Sequence, residues 1–207
     1  MKLNNVFLPV LMVVLLSFLS GCGPKEIESD MALLSDESKE WIPFAGDETV
    51  QFVSDGDTLS FSGTGITTYF DKVRYKSDQS GFFSVQEDYY ASMERQELIF
   101  ESSSSSYFIK YLLEKNMAET GEWEMIHISL GDGDYYNNEI RVVIRETDNF
   151  AKSESYSYKS TLTLNGVAFQ DVYYLKQERR PFELYYTKSL GIIGFKLSAN
   201  ELYTINY

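Results

Sequence analysis

The chain has 207 residues, enough for one domain with a substantial core. It carries 18 Lys+Arg against 31 Asp+Glu, a formal net charge of −13, which excludes the basic surface that nucleic-acid binding requires. A single cysteine, Cys22, excludes an internal disulfide, and a single histidine, His127, excludes a zinc site built from several His or Cys ligands.

At the N-terminus, Lys2 precedes an apolar stretch from Val6 to Leu19, about 14 residues long and interrupted by Pro9 and Ser17. A membrane-spanning helix needs roughly 20. A short basic start, an apolar core and small residues at the end read as a secretory signal peptide over residues 1–21. The ending Leu19-Ser20-Gly21-Cys22 resembles the lipobox of bacterial lipoproteins. That resemblance implies cleavage before Cys22, diacylation of its thiol and acylation of the new amino terminus, making the membrane a partner through lipid. Two or three acyl chains hold a protein durably at a membrane, whereas one does so marginally. Gly23 stands where an aspartate commonly retains such proteins at the inner membrane, so by the same resemblance the outer membrane is expected. Lys25-Glu26 with Glu28 is faintly similar to the short charged signals that send some lipoproteins to the cell surface.

Residues 22–40 read as the acylated cysteine and a flexible acidic tether, because Pro24, Ser29, Asp30, Ser35, Asp36, Glu37 and Ser38 break any core pattern. As a coil it would reach on the order of 20–25 Å. Met31-Ala32-Leu33-Leu34 within it suits one helical turn or a patch that docks on the domain.

From Trp41 to Tyr207 the expectation is a β domain. Tyr (16) and Phe (14) are frequent, and both suit a pleated, half-buried surface. Apolar and polar residues alternate in Val50–Ser54, Leu59–Phe61, Ile140–Ile144 and Tyr156–Tyr158. Turn signals separate the runs at Asp55-Gly56, Gly63-Thr64-Gly65, Gly131-Asp132-Gly133 and Asn165-Gly166. Asn165-Gly166 is the strongest of them, since both residues accept the positive φ of a type I′ hairpin turn. Tyr107 to Met117 fits helical and strand spacing alike, and the alternatives stay open. The fold class expected is all-β: ten or more strands in a single strongly curved antiparallel sheet, closing into a barrel-like or sandwich domain. Tyr-Tyr pairs at 89–90, 135–136, 173–174 and 185–186 should each send one ring inward and one outward.

Motifs for chemistry are sparse. Alternation puts His127 on the same strand face as Trp123 and Met125, and no nucleophile motif accompanies it, so a structural or exposed histidine is expected. A hydrolase using His127 with carboxylates is the alternative; it requires two carboxylates beside the ring in a concave site. Asp132 and Asp134 are weak calcium candidates: counted as an EF-hand loop, the sixth position is Asn137 rather than Gly and the twelfth is Val143 rather than Glu. No phosphate-binding glycine loop and no cofactor motif occur. The residues offered as a ligand face are Trp123, Tyr135, Tyr173 and Tyr185, which as exposed rings would suit a sugar or an apolar ligand.

Two blocks resemble a group of uncharacterised all-β lipoproteins of Bacteroidetes-type envelopes. The first is Trp41-Ile42-Pro43-Phe44-Ala45-Gly46 leading to Val50-Gln51-Phe52 and Gly56-Asp57-Thr58-Leu59. The second is Val172-Tyr173, Tyr185 through Phe195 and Glu201-Leu202-Tyr203. The resemblance implies an all-β domain and no known catalytic residues. The expectation is an outer-membrane-anchored protein with a non-catalytic binding or structural role in the envelope. Its partner would be a lipid or other hydrophobic ligand, a glycan or an envelope protein.

Overall fold

The alternating runs become strands because each can bury one face and solvate the other. The computed structural model describes residues 24–29, 31–78, 86–133, 139–147, 154–177, 181–199 and 201–206. Cys22, Asp134 and Tyr135 lie outside the described residues. In chain order the elements are β1 (Lys25–Glu28), a short helix α1 (Asp36–Lys39), β2 (Thr49–Ser54), β3 (Asp57–Asp78), β4 (Glu87–Ser102), β5 (Tyr107–Ala118) and β6 (Gly121–Asp132). They continue with β7 (Glu139–Glu146), β8 (Ser157–Leu164), β9 (Val167–Lys176), β10 (Glu183–Thr187), β11 (Gly191–Ser198) and β12 (Glu201–Asn206). Tyr107–Ala118 is therefore strand, with Ile109, Tyr111 and Leu113 buried on one face.

One antiparallel sheet of 11 strands, ordered β7-β6-β5-β4-β3-β2-β12-β11-β10-β9-β8, curls through 299° into a half-barrel. Its edges, β7 and the chain entering β8, meet at a single bridge. Arg141 N donates to Ser155 O at 3.3 Å, and Ser155 N donates to Arg141 O at 3.2 Å. The interior is filled: Tyr111, Tyr186, Phe52, Phe61, Phe100 and Phe195 are all essentially inaccessible. Phe52, Phe61 and Phe195 pack edge-on or tilted, with ring centroids 5.0 to 6.3 Å apart.

Two features explain why the barrel stays open. Asn165 (φ 45) and Gly166 (φ 83) make the expected tight turn between β8 and β9. Asp171, in the middle of β9, also has a positive φ of 52, rare for a residue with a side chain. Beyond this kink the hairpin leaves the barrel wall and lies on the outer face of β10–β12. There Asn165 Nδ2 reaches Leu202 O at 3.4 Å, and Leu164, Phe169, Val172, Tyr185 and Ile193 form a second, smaller core. The edge is thus barrel on one side and two-layered on the other.

The β3–β4 hairpin runs on beyond its pairing with β5 as an arm, with the β5–β6 turn beside it: Glu119 lies 3.8 Å from Lys76. β5 pairs with β4 only from Arg95 onward, while β3 pairs with β4 out to Asp78 and Glu87. The eight residues from Glu87 to Glu94 extend it by roughly 25 Å at about 3.3 Å each. β1 adds a third strand to the arm, parallel to β4, with Lys25 opposite Glu87 and Glu28 opposite Tyr90.

Two sequence expectations are corrected here. Residues 25–40 are not a free tether: β1 and an Ala32–Met93 bridge fix the chain along β4, and Leu34 and Ser38 are buried. Docking succeeds because Leu34 supplies an apolar contact and backbone N–H groups find carboxylates inside the sheet, while Met31 and Leu33 stay exposed. Gly63-Thr64-Gly65 is not a turn but a register shift within β3. A Cβ on Gly63 would lie 2.3 Å from Gly46 O, so the missing side chain makes room for another stretch of backbone.

Candidate functional site

One mouth of the half-barrel, the end from which the arm projects, is crossed by residues 31–46, which act as a strap. Two carboxylates on the inner faces of β4 and β6 receive it. Leu34 N donates to Glu94 Oε2 at 2.9 Å; Ser35 N and Oγ donate to Glu124 Oε2 at 3.1 and 2.6 Å. Both carboxylates are buried, and Lys39 and Lys115 balance their charge at 3.1 and 3.4 Å. Burial works against ionisation of Glu124, but hydrogen bonds from Ser35 and Ser38 and the nearby Lys115 hold its carboxyl below the usual range. Ser35 also caps α1, accepting from Ser38 N at 3.2 Å.

Past α1 the strap turns inward. Trp41 stacks on Tyr186 with centroids 6.2 Å apart, and Phe44 sits against Phe100 and Tyr111 at 5.0 and 5.7 Å. Tyr111 Oη accepts from Ile192 N at 3.0 Å, so the deepest phenol is satisfied. The strap closes this end of the interior with rings.

His127 lies on the outer face, inside a ladder of alternating charge crossing five strands. Asp71 meets Arg95 at 3.1 Å, Arg95 meets Glu114 at 3.4 Å, and Glu114 meets His127 Nε2 at 3.0 Å. Glu139 then accepts from His127 Nδ1 at 2.8 Å and forms an ion pair with Arg141, Nε to Oε1 2.9 Å. Burial alone would lower the histidine, but the two carboxylates outweigh it and push the pKa up to about 9. The ring is an imidazolium at neutral pH, both nitrogens donate, and neither offers a lone pair to a substrate. His127 does meet two carboxylates, but on the outward side of the sheet.

A groove of about 510 Å³ opens beside the strap, lined by Glu40, Pro43, Gln170, Asp171, Thr187, Lys188 and Ser189. Lys188 Nζ bonds Glu40 at 2.8 Å and stands 5.9 Å over the Trp41 ring. Tyr158 Oη donates to Asp171 Oδ1 at 2.5 Å. The Tyr158 ring is 49% exposed and leans on Tyr173, centroid to centroid 5.4 Å. Tyr173 continues inward to Trp41 at 5.4 Å, so an aromatic row runs from the groove into the core. Gln170 Oε1 accepts from Thr161 Oγ1 at 2.9 Å, which fixes that amide on the hairpin.

The ligand face read from the sequence does not assemble. Tyr173 pairs with Tyr186 on the inner side, while Tyr185 stacks on Tyr174 on the outer side at 6.1 Å. Adjacent tyrosines on a strand must diverge, and this is the reason. Trp123 is on the outer face of β6. Tyr185 donates to Glu183, a buried carboxylate also held by Lys176 at 2.9 Å and Lys196 at 3.4 Å. Asp132 accepts from Ser106, and among the described residues no group of three or more His, Cys, Asp or Glu side chains could hold a metal ion. Tyr158, Asp171 and Lys188 carried no sequence signal: Asp171 meets the β10–β11 turn at the groove through a kinked strand, and Tyr158 is joined to it by a hydrogen bond.

No family model matches the chain, and no curated protein or solved structure matches it either.

Proposed function

We propose that this is a lipid-anchored protein of the cell envelope, held at the outer membrane through Cys22, that acts without catalysis by binding at its surface. The observation that carries the reading is the course of the chain after Cys22: from Lys25 it is already paired along the arm. An acylated Cys22 would therefore be joined to the fold by two residues, Gly23 and Pro24, at the outer end of the arm. A loose tether allows any orientation, whereas this arrangement gives one. Among the described residues no helix is long and apolar enough to cross a membrane.

The ring-filled interior counts against an enclosed apolar ligand, which would need an unfilled cavity. The doubly bonded His127 counts against a hydrolytic base. Binding on the exterior is the role these features leave. Fractionation tests the anchor: the native chain is expected in membranes, and Cys22→Ser in the soluble fraction with an unchanged melting curve. Membrane retention of the serine variant would overturn the reading.

A further inference from the structure

The groove beside the strap combines features that recognise a sugar. A saccharide ring presents an apolar C–H face and a rim of hydroxyls that both donate and accept, so it is held by an aromatic ring together with fixed amide, carboxylate and ammonium groups. Beside the groove, outside its lining, Tyr158 presents an exposed ring whose hydroxyl is bonded to the lining residue Asp171. Asp171, Gln170, Glu40 and Lys188 supply the polar groups of the groove itself. The charged groups come partnered: Lys188 with Glu40, Asp171 with the Tyr158 phenol. The groove therefore holds no uncompensated cation to draw a phosphate, and its mixed lining suits a neutral, polyhydroxylated molecule. Its volume of about 510 Å³ falls within the range of small-molecule sites. Asp171 holds its position at a backbone cost, with φ at 52, and this places its carboxylate at the groove instead of in the barrel wall.

We propose that this groove binds a saccharide. The proposal rests on the reading above, that the protein works by surface binding, and gives that binding a ligand class and a place. The groove opens at the same mouth from which the arm projects, since the strap joins the two and Glu40 of the strap meets Lys188 across it. In the anchored protein it faces the membrane. The sugar could thus belong to a glycolipid in that membrane or to a free glycan, and the chemistry recognised is the same.

Two probes separate the sources. The detergent-solubilised full chain is applied to an array of neutral and acidic oligosaccharides. The Cys22→Ser chain, in which acyl groups contribute nothing, is mixed with phosphatidylethanolamine vesicles with and without lipopolysaccharide. Array binding identifies a free glycan, and binding only to lipopolysaccharide vesicles identifies a glycolipid. In either case Asp171→Asn and Lys188→Ala should each weaken binding about tenfold or more, as loss of a charged hydrogen bond does. Lys188 is a surface residue, so Lys188→Ala should keep the native melting temperature and separates a lost contact from a lost fold. Absence of binding to both probes, or binding that neither substitution weakens, overturns the groove assignment. Either result leaves the fractionation test of Cys22 standing, so the two readings fail separately.

Discussion

Tyr186 Oη donates a hydrogen bond of 2.5 Å to the carbonyl oxygen of Trp41, joining β10 to the strap across 145 residues of sequence. Both residues are buried, and the Tyr186 ring stacks on the indole of the residue whose carbonyl it binds. This contact locks the strap into the half-barrel.

Replacing Tyr186 with Phe keeps the ring and leaves the Trp41 carbonyl unpaired in the core. The expected cost is about 1–3 kcal/mol. Hydrogen exchange over residues 36–46 should quicken more than exchange in β5 or β6. Uniform quickening across the sheet would mean that the strap is not a separate unit.

The carboxylates that receive the strap make a second test. Glu124→Ala removes the acceptor for both Ser35 N and Ser35 Oγ and leaves the buried Lys115 with Glu122 as its one remaining carboxylate, at 3.0 Å. A loss of about 2–4 kcal/mol in denaturant unfolding is expected. Glu37→Ala, an exposed residue of the same helix, should change stability by less than about 0.5 kcal/mol.

The charge ladder predicts a pH dependence with a definite sign. An unfolded histidine titrates near about 6.5, and His127 in the fold is raised to about 9. Its contribution is fully present below about pH 6.5 and is lost as pH rises through about 9. That contribution is on the order of 2–3 kcal/mol. Unfolding free energy of the native chain should fall between about pH 6 and about pH 10, and His127→Gln should flatten the fall. An NMR titration placing the ring near its unperturbed value would contradict the ladder.

Gly191 opens β11 with φ +75, and a Cβ there would stand 2.5 Å from the Phe44 ring and 2.8 Å from Tyr111 Oη. Gly191→Ala should cost about 2 kcal/mol or more, from backbone strain and from displacement of the strap's phenylalanine. Gly56 also has a positive φ but open space around it, so Gly56→Ala should cost less.

Local features of the fold were legible in the sequence. The alternation in Ile140–Ile144 and the Asn165-Gly166 turn depend on near neighbours, and both appear where the pattern puts them. The strap was not legible, because its acceptors Glu94 and Glu124 lie 60 and 89 residues away from the amides they hold. Without them, Ser35-Asp36-Glu37-Ser38 reads as solvated chain. Gly63 misled for a related reason: a glycine that admits a crossing backbone looks the same in sequence as one that makes a turn. The candidate groove depends on a positive φ at an aspartate within a strand, which no local pattern announces.

The central claim is the anchor, and mass spectrometry of the intact protein extracted from membranes tests it most directly. The expected result is a chain that begins at Cys22 and carries the added mass of two or three acyl chains, together with protected amides at Lys25 and Ser29. A chain that retains residues 1–21, or one whose Cys22 thiol is unmodified, would contradict it.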